Sequence, residues 1–397
     1  MLTKTAIEPV VPAQRLRPLE DLACTIVERA ARLSAKVREP LRVQVAELTR
    51  WMHCYYSNLI EGQQTRVRDI EAALKKDFAA EPEKRHLQQL SLAHLKVQRW
   101  AASQTGSPFA SEFIRELHRR FYTQLPEAMR LATALKGKKT PLTPGELRDR
   151  DVEVGTHVGP PHELVPDLLG HFQRRYESPD FSRIQRIIAI GASHHRLAWI
   201  HPFRDGNGRV VRLFSDAVVQ QLGIDGGGLW SLSRGFARNR TEYYSRLSNA
   251  DQGRSSSSAD DGRGHLSERA LWDFCEFTLR VMADQIAFME QLLDLDGLER
   301  RIEHYVRVVD AQVAPEADRI SHLLREALLR GEFPRGEAAR IVGASDRTGR
   351  TVLALAIEAG LLVSATPKAP VRLGLPAKVH ETYFPQLFPS YQVTDRL

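Results

Sequence analysis

The sequence predicts a mainly α-helical chain, interrupted by one short β-hairpin and ending in a small helical unit with a wing. Three observations carry that prediction. Apolar residues recur at helical spacing over most of the chain, as in Leu22, Ile26, Ala30 and Leu33. Between Gly145 and Pro161 the period shortens to alternation, with Val152, Val154 and Val158 set among polar residues around Gly155, the pattern of a hairpin. After Asp294 the chain changes character, and short apolar stretches are separated by turn residues.

Length and charge bound the rest. At 397 residues the chain has room for two or three domains and a sizeable core. Its 56 basic and 49 acidic residues give a net charge of +7, which permits an acidic partner without requiring one. Cys24, Cys54 and Cys275 lack disulfide or metal-ligand spacing, which points to a reducing compartment. With no signal peptide and no apolar run of membrane-spanning length, the expectation is a soluble cytoplasmic protein with no membrane partner.

In chain order, the opening residues through Arg17, with Pro9, Pro12 and Pro18, lack periodicity and read as an arm. Helical spacing runs from Leu19 to about Leu48, broken near Pro40. In SNLIEGQQT, Ser57 and Glu61 share one helix face and Gly62 offers a C-terminal stop. Asp69 to Trp100 is amphipathic helix around Pro82, and His86 and His94 on it, without partnered acids, read as surface or packing residues. SQTGSP, Ser103 to Pro108, marks a boundary, after which Phe113, Leu117, Phe121 and Leu125 form one stripe. The hairpin follows, with His157 and His162 at its surface; its exposed edge suits strand addition by an extended peptide. Ile184 to Trp199 is an apolar helix in which His194 and His195 read as packing or loop-orienting residues, since no further metal ligands stand at suitable spacing.

That helix leads into HPFRDGNGRVVR, His201 to Arg212, where the chemistry concentrates. Gly206, Asn207 and Gly208 permit positive φ, so their N–H groups can converge as an anion-binding nest. Val210, Val211, Leu213, Phe214, Ala217 and Val218 then follow helical spacing, placing the turn at a helix N-terminus that favours phosphate. Arg209 and Arg212 share a face and can fork onto phosphate oxygens. Asp205 is placed to hold Mg²⁺ against the same oxygens. His201 titrates near neutrality and can act as a general base on an attacking hydroxyl.

The string is similar to the signature of the Fic family: His, any residue, Phe, any residue, Asp or Glu, then GNGR and a second Arg three on. The resemblance implies an all-helical core that transfers AMP from ATP to a hydroxyl of a target protein. His201 would be the base, and Phe203 the buried anchor of a phosphate loop formed by Arg204, Asp205, Gly206, Asn207, Gly208, Arg209 and Arg212. It also gives SNLIEG a meaning, since Ser57, Glu61 and Gly62 match the family's inhibitory motif, whose glutamate pairs with the second arginine of the signature, here Arg212. The hairpin, residues 147–161, corresponds to the flap that aligns the target, and Tyr243 or Tyr244 to a tyrosine beside the adenine. The same residues could support removal of AMP from a modified protein, with Glu61 positioning water. A different class of reading is a DNA-binding regulator with a nucleotide-sensing core.

Gly226 to Gly228 form a turn, and Asp251 to Gly264, rich in Gly, Ser and Asp, read as a mobile surface loop. Leu271 to Leu293 is a long helix closing the core. Beyond it, Leu323, Leu324, Ala327 and Leu328 mark one helix, Glu337 to Ile341 a second, and Ser345 caps a third that runs to Gly360. On that third helix Val352, Leu355 and Ala356 face inward and Arg347, Arg350 and Thr351 outward; Leu361 to Val363 and Val371 to Leu373 complete the wing. This resembles a winged helix-turn-helix. Residues 319–375 hold nine basic and five acidic residues, which admits phosphate-backbone contact with DNA but equally a protein-docking or homodimerisation role. The expected division is 1–107 for an N-terminal helical region, 108–295 for the catalytic core, and 296–397 for the winged unit and tail.

Overall fold

The structure is a computed structural model that describes residues 2–133, 139–254 and 264–388. Asp251 to Gly264 therefore lies partly outside the described residues. Helices dominate, and each boundary has a local cause. Helix α1 (Leu16–Lys36) ends before Pro40, which occupies the first turn of α2 (Glu39–Ile60), where its missing N–H costs nothing. Helix α2 stops in a Schellman motif: Gly62 takes φ +76°, its N–H bonds Leu59 O at 3.0 Å, and Gln63 N–H bonds Asn58 O at 2.9 Å. Then come α3 (Val67–Leu74), α4 (Pro82–Ala102), again with proline in its first turn, and α5 (Ser111–Thr123).

Two hairpins follow. The first, β1 (Leu131–Thr133) with β2 (Lys139–Pro141), was not expected, because strands this short leave no readable alternation. The second, β3 (Glu153–Val154) with β4 (His157–Val158), turns at Gly155 as the sequence predicts. After α6 (Val165–Tyr176) comes α7 (Arg183–Ile200), opened by a capping box in which Ser182 Oγ accepts from Gln185 N and Gln185 Oε1 accepts from Ser182 N. Helix α8 (Asn207–Gln221) packs on α7, and α9 (Leu232–Arg238), α10 (Arg240–Asn249) and α11 (Glu268–Leu292) complete the bundle, with α1 lying along α7 and α11. Ile188, Leu197, Phe214, Phe236, Phe274 and Met282 are among its buried side chains.

The opening residues are a packed strap rather than a loose arm. Ile7 and Val10 are buried, Tyr176 Oη donates to Val10 O at 2.7 Å, and the buried Arg196 donates twice to Pro9 O. The reason is Arg196: a buried guanidinium needs acceptors, and this backbone supplies one.

The C-terminal unit follows α12 (Leu295–His304). It comprises α13 (Ala317–Arg330), β5 (Glu332–Phe333), α14 (Ala338–Val342), α15 (Asp346–Glu358), β6 (Leu362–Val363) and β7 (Val371–Leu373). Ser345 Oγ accepts from Thr348 N, capping α15 as expected. The strands form an antiparallel sheet in the order β5-β7-β6, a winged arrangement with one strand more than the sequence suggested. Val352 and Ala356 are buried together with Leu353, Leu355 packs partly buried against the same core, and Arg347, Arg350 and Thr351 face solvent. A short helix, α16 (His380–Tyr383), then leads the chain back to α2.

Candidate active site

Helix α7 ends at His201, whose backbone adopts a left-handed φ of 49°, sparsely populated for a residue with a side chain. Arg148, buried, holds this turn: its N–H bonds Pro202 O at 2.9 Å and its Nε bonds His201 O at 2.9 Å. The same guanidinium reaches the carbonyls of Arg150 and Pro160, so one side chain fixes both the turn at His201 and the two roots of the hairpin. Phe203 is fully buried, stacked on His118 at 4.0 Å, and does not reach the cleft. His118 is pinned in turn, its Nδ1 accepting from Gly145 N at 2.8 Å.

The expected nest is corrected by the backbone. Only Gly206 takes positive φ, at 78°; Asn207 and Gly208 are already helical. Asn207 folds inward, bonding both N–H and C=O of Phe203 at 2.9 and 2.8 Å, so its side chain braces the loop. Arg204 turns to β2, where it meets Thr140 Oγ1 and Pro141 O. What faces the cleft is the first turn of α8, which no side chain caps: a helix N-terminus, suited to anions.

Across that N-terminus lies the end of α2. Arg212, buried, donates from Nε to Ser57 Oγ at 2.9 Å and from Nη2 to Ser57 O at 3.1 Å and Glu61 Oε1 at 2.6 Å. Arg209 donates to Gln63 Oε1 at 2.7 Å. Both arginines of the signature are thus engaged by the segment around Gly62. Burial acts to raise the Glu61 carboxyl, but Arg212 and Arg209 outweigh it and hold the group below its usual range. A Cβ at Gly208 would crowd the Glu61 carboxylate, so glycine leaves that carboxylate its room beside Arg212.

His201, Asp205, Gly208, Arg212, Glu61, Tyr244 and Asp251 are among the residues lining a cleft of about 540 Å³, roofed by the hairpin from Val154 to His157, a volume in the usual range for small-molecule sites. Burial and the neighbouring His157 push the His201 imidazole down to about 4, leaving the neutral, basic form across physiological pH. Asp205 opens to the cleft on one side, yet the protein around it raises its carboxyl; Gly206 N–H, at 2.6 Å from Oδ1, and Arg209 oppose this in part.

Asp251 also belongs to the site, although the sequence assigned it to a surface loop. It accepts from His195 Nε2 at 2.9 Å and pairs with His157 Nδ1 at 2.9 Å, tying the hairpin to α7. His157 Nε2 meets Trp199 O at 3.0 Å, so both of its ring nitrogens are engaged. Burial pushes the Asp251 carboxyl up, but the bonds to His157 and His195 overcome it and hold the group down at about 2. His162, by contrast, stays at the hairpin surface beside Asp151.

Residues 108–219 match the model of the Fic/DOC family. These residues form a Fic domain. The chain is 30% identical over 207 residues to the protein adenylyltransferase Fic of Nematostella vectensis, covering 51% of this chain and 44% of that protein. It is 27% identical over 149 residues to its namesake in Drosophila mojavensis, covering 37% and 28%. The chain therefore spans less than half the length of these relatives. A crystal structure of a Fic family protein from Desulfovibrio desulfuricans superposes with a TM-score of 0.53 at 18% identity, over 91% of this chain and 98% of that one, which is a likeness of fold. No helix among the described residues is long and apolar enough to cross a membrane.

Around the Fic domain, the two tyrosines divide. Tyr243 is buried, stacked on Phe236 at 4.4 Å, and its hydroxyl bonds His194 Nε2 at 2.9 Å. Ser215 Oγ donates to Val211 O, so His194 Nδ1 donates to Ser215 Oγ and its Nε2 accepts from Tyr243. Tyr244 is 42% exposed at the cleft, its hydroxyl donating to Ile60 O at 3.2 Å, and is the ring available to a ligand. Arg148, His118, Asp251 and Gln63 escaped the sequence reading. Each acts through tertiary contact with a distant segment, and only the SNLIEG resemblance lay close enough to have flagged Gln63.

Proposed function

We propose that this chain transfers AMP from ATP to a hydroxyl side chain of a target protein, and that Glu61 keeps this transfer low in the resting state. The observation that carries the reading is the Glu61–Arg212 pair at the uncapped N-terminus of α8, with the neutral His201 facing the same cleft. The acceptor hydroxyl gives its proton to His201 and attacks the α-phosphorus of ATP; the bond to the pyrophosphate oxygen breaks and pyrophosphate departs. The α8 N-terminus and Arg209 bear the phosphate charge, Arg212 receives the leaving group once released from Glu61, and Tyr244 offers its ring to the adenine.

Asp205 fits a hard dication. It is a carboxylate open to the cleft, with one oxygen occupied by Gly206 N–H and the other available, which matches the preference of Mg²⁺ for few carboxylates plus phosphate and water. Mg²⁺ held there would offset charge on the phosphate oxygens. The hairpin presents Val154 and Val158, 52% and 67% exposed, on a short free edge, and suits an extended target segment lying across the cleft.

Wild type and Glu61→Gly, each incubated with α-labelled ATP and a cell lysate, test the reading. Labelled protein bands that strengthen in the variant are expected. An absence of label in both, with ATP bound, would overturn it.

A further inference from the structure

The inhibitory helix α2 has two working faces. One carries Ser57 and Glu61 to Arg212. The other is covered by the far end of the chain. Trp51 lies 5.9 Å from the His380 ring, Tyr55 meets Phe388 edge-on at 5.6 Å, and Tyr56 Oη donates to Leu387 O at 3.1 Å across 331 residues of sequence. The segment is held from other sides as well: Arg234 on α9 donates to Gln386 O at 2.8 Å, Arg301 on α12 to Tyr383 O at 2.8 Å, and Ala377 N–H to Glu71 Oε2 on α3 at 3.1 Å. Tyr383, Phe384 and Leu387 are buried, and Gln386 sits at φ +63°, a conformation that persists only where its surroundings fix it.

We infer that residues 377–388 act as a positioning clamp on the inhibitory helix, so that Glu61 meets Arg212 only while the C-terminal segment is seated on Tyr55 and Tyr56. The argument is geometric. Tyr55 and Tyr56 stand less than two turns before Glu61, the C-cap that follows Ile60 at the end of α2. Glu61 leaves Arg212 when the last turns of α2 shift or fray, and these are the turns that the C-terminal segment covers. An isolated helix end frays readily, whereas one clamped on both faces does not. The segment follows directly on β7 of the winged unit, so whatever displaces that unit withdraws the clamp and frees Arg212. The winged unit thereby becomes the input of the enzyme.

This inference rests on the AMP-transfer reading, and its test separates the two. In the full chain, Phe388→Ala removes one ring of the clamp, while Tyr56→Phe keeps the packing and deletes the hydroxyl that bonds Leu387 O and lies beside Arg234. Basal AMP transfer from labelled ATP should rise roughly three- to tenfold in Phe388→Ala, the range of one aromatic pair, and less in Tyr56→Phe. Phe388→Leu, which loses the edge-on ring contact but keeps most of the apolar packing, should rise less than Phe388→Ala. Phe388→Ala combined with Glu61→Gly should be no more active than Glu61→Gly alone, since a clamp has nothing to hold once the carboxylate is gone; a further rise in the pair would overturn the clamp. Basal rates equal to wild type in both single variants, beside an active Glu61→Gly, would also overturn it. If Glu61→Gly transfers no AMP, the AMP-transfer reading fails, and amide exchange across residues 57–62 decides instead. Faster exchange there in Phe388→Ala, with α7 unchanged, supports the clamp, and unchanged exchange refutes it.

Discussion

Ser57 and Glu61, one helical turn apart on α2, hold the same guanidinium: Arg212 lies 2.9 Å from Ser57 Oγ and 2.6 Å from Glu61 Oε1. The contact is charge-assisted and its arginine is buried, so a phosphate that needs Arg212 must first displace a carboxylate.

Glu61→Gly should therefore raise AMP transfer by about tenfold to a hundredfold, corresponding to the ~1.5–3 kcal/mol of a hydrogen bond to a charged group. Glu61→Asp should give part of this. Glu61→Gly with Arg212→Ala should show no gain, because the inhibited residue is also the one that receives the leaving group. Transfer rates under saturating ATP measure all three; a Glu61→Gly rate no higher than wild type would make SNLIEG a helix end and nothing more.

His201→Ala should abolish transfer while ATP still binds. In the free protein, an NMR titration of His201 should find its midpoint near 4, far below an ordinary histidine, with ATP moving it upward as phosphate charge enters the cleft. A midpoint at or above 6.5 would remove the claim that burial keeps this base neutral.

Acid should destabilise the fold in a defined window. Burial depresses His118 to about 3, and His195, His201 and His380 each to about 4. A histidine depressed in the folded state binds its proton more readily when unfolded. The stability these groups permit is complete above about pH 6.5 and is lost as pH falls toward 4. Calorimetric Tm should decline across that interval; a flat Tm from pH 6.5 to 4 would contradict it.

The tyrosines should separate cleanly. Tyr244→Ala should raise KM for ATP by about tenfold, as loss of one base-stacking ring implies. Tyr243→Phe should leave that KM unchanged and cost about 1–3 kcal/mol of stability, since it strands His194 Nε2 in the core.

Asp251→Asn should loosen the hairpin, because Oδ1 and Oδ2 each hold one histidine and the substitution turns one of these oxygens into an NH2 group. KM for the protein acceptor should rise, with KM for ATP little altered. An equal rise in both would mean that Asp251 serves the nucleotide directly.

Much was legible in the sequence because it is local. Helix ends follow from Pro40, Gly62 and Ser345, the hairpin from alternation around Gly155, and the concentration of chemistry from His201 to Arg212 from composition alone. The short strands β6 and β7 followed from turn chemistry between short apolar runs, and the Ser57–Glu61 face from a spacing of one helical turn. Tertiary structure decided everything that depends on which distant groups meet. It turned Asn207 and Phe203 inward, because a buried loop must satisfy its backbone and fill its core. It sent Tyr243 into the bundle and left Tyr244 at the cleft, a choice that adjacent identical residues cannot express in sequence. It brought Asp251 to two histidines, Arg148 to both ends of the hairpin, and the C-terminal segment to α2. Periodicity tells which face of an element is buried; only packing tells what buries it.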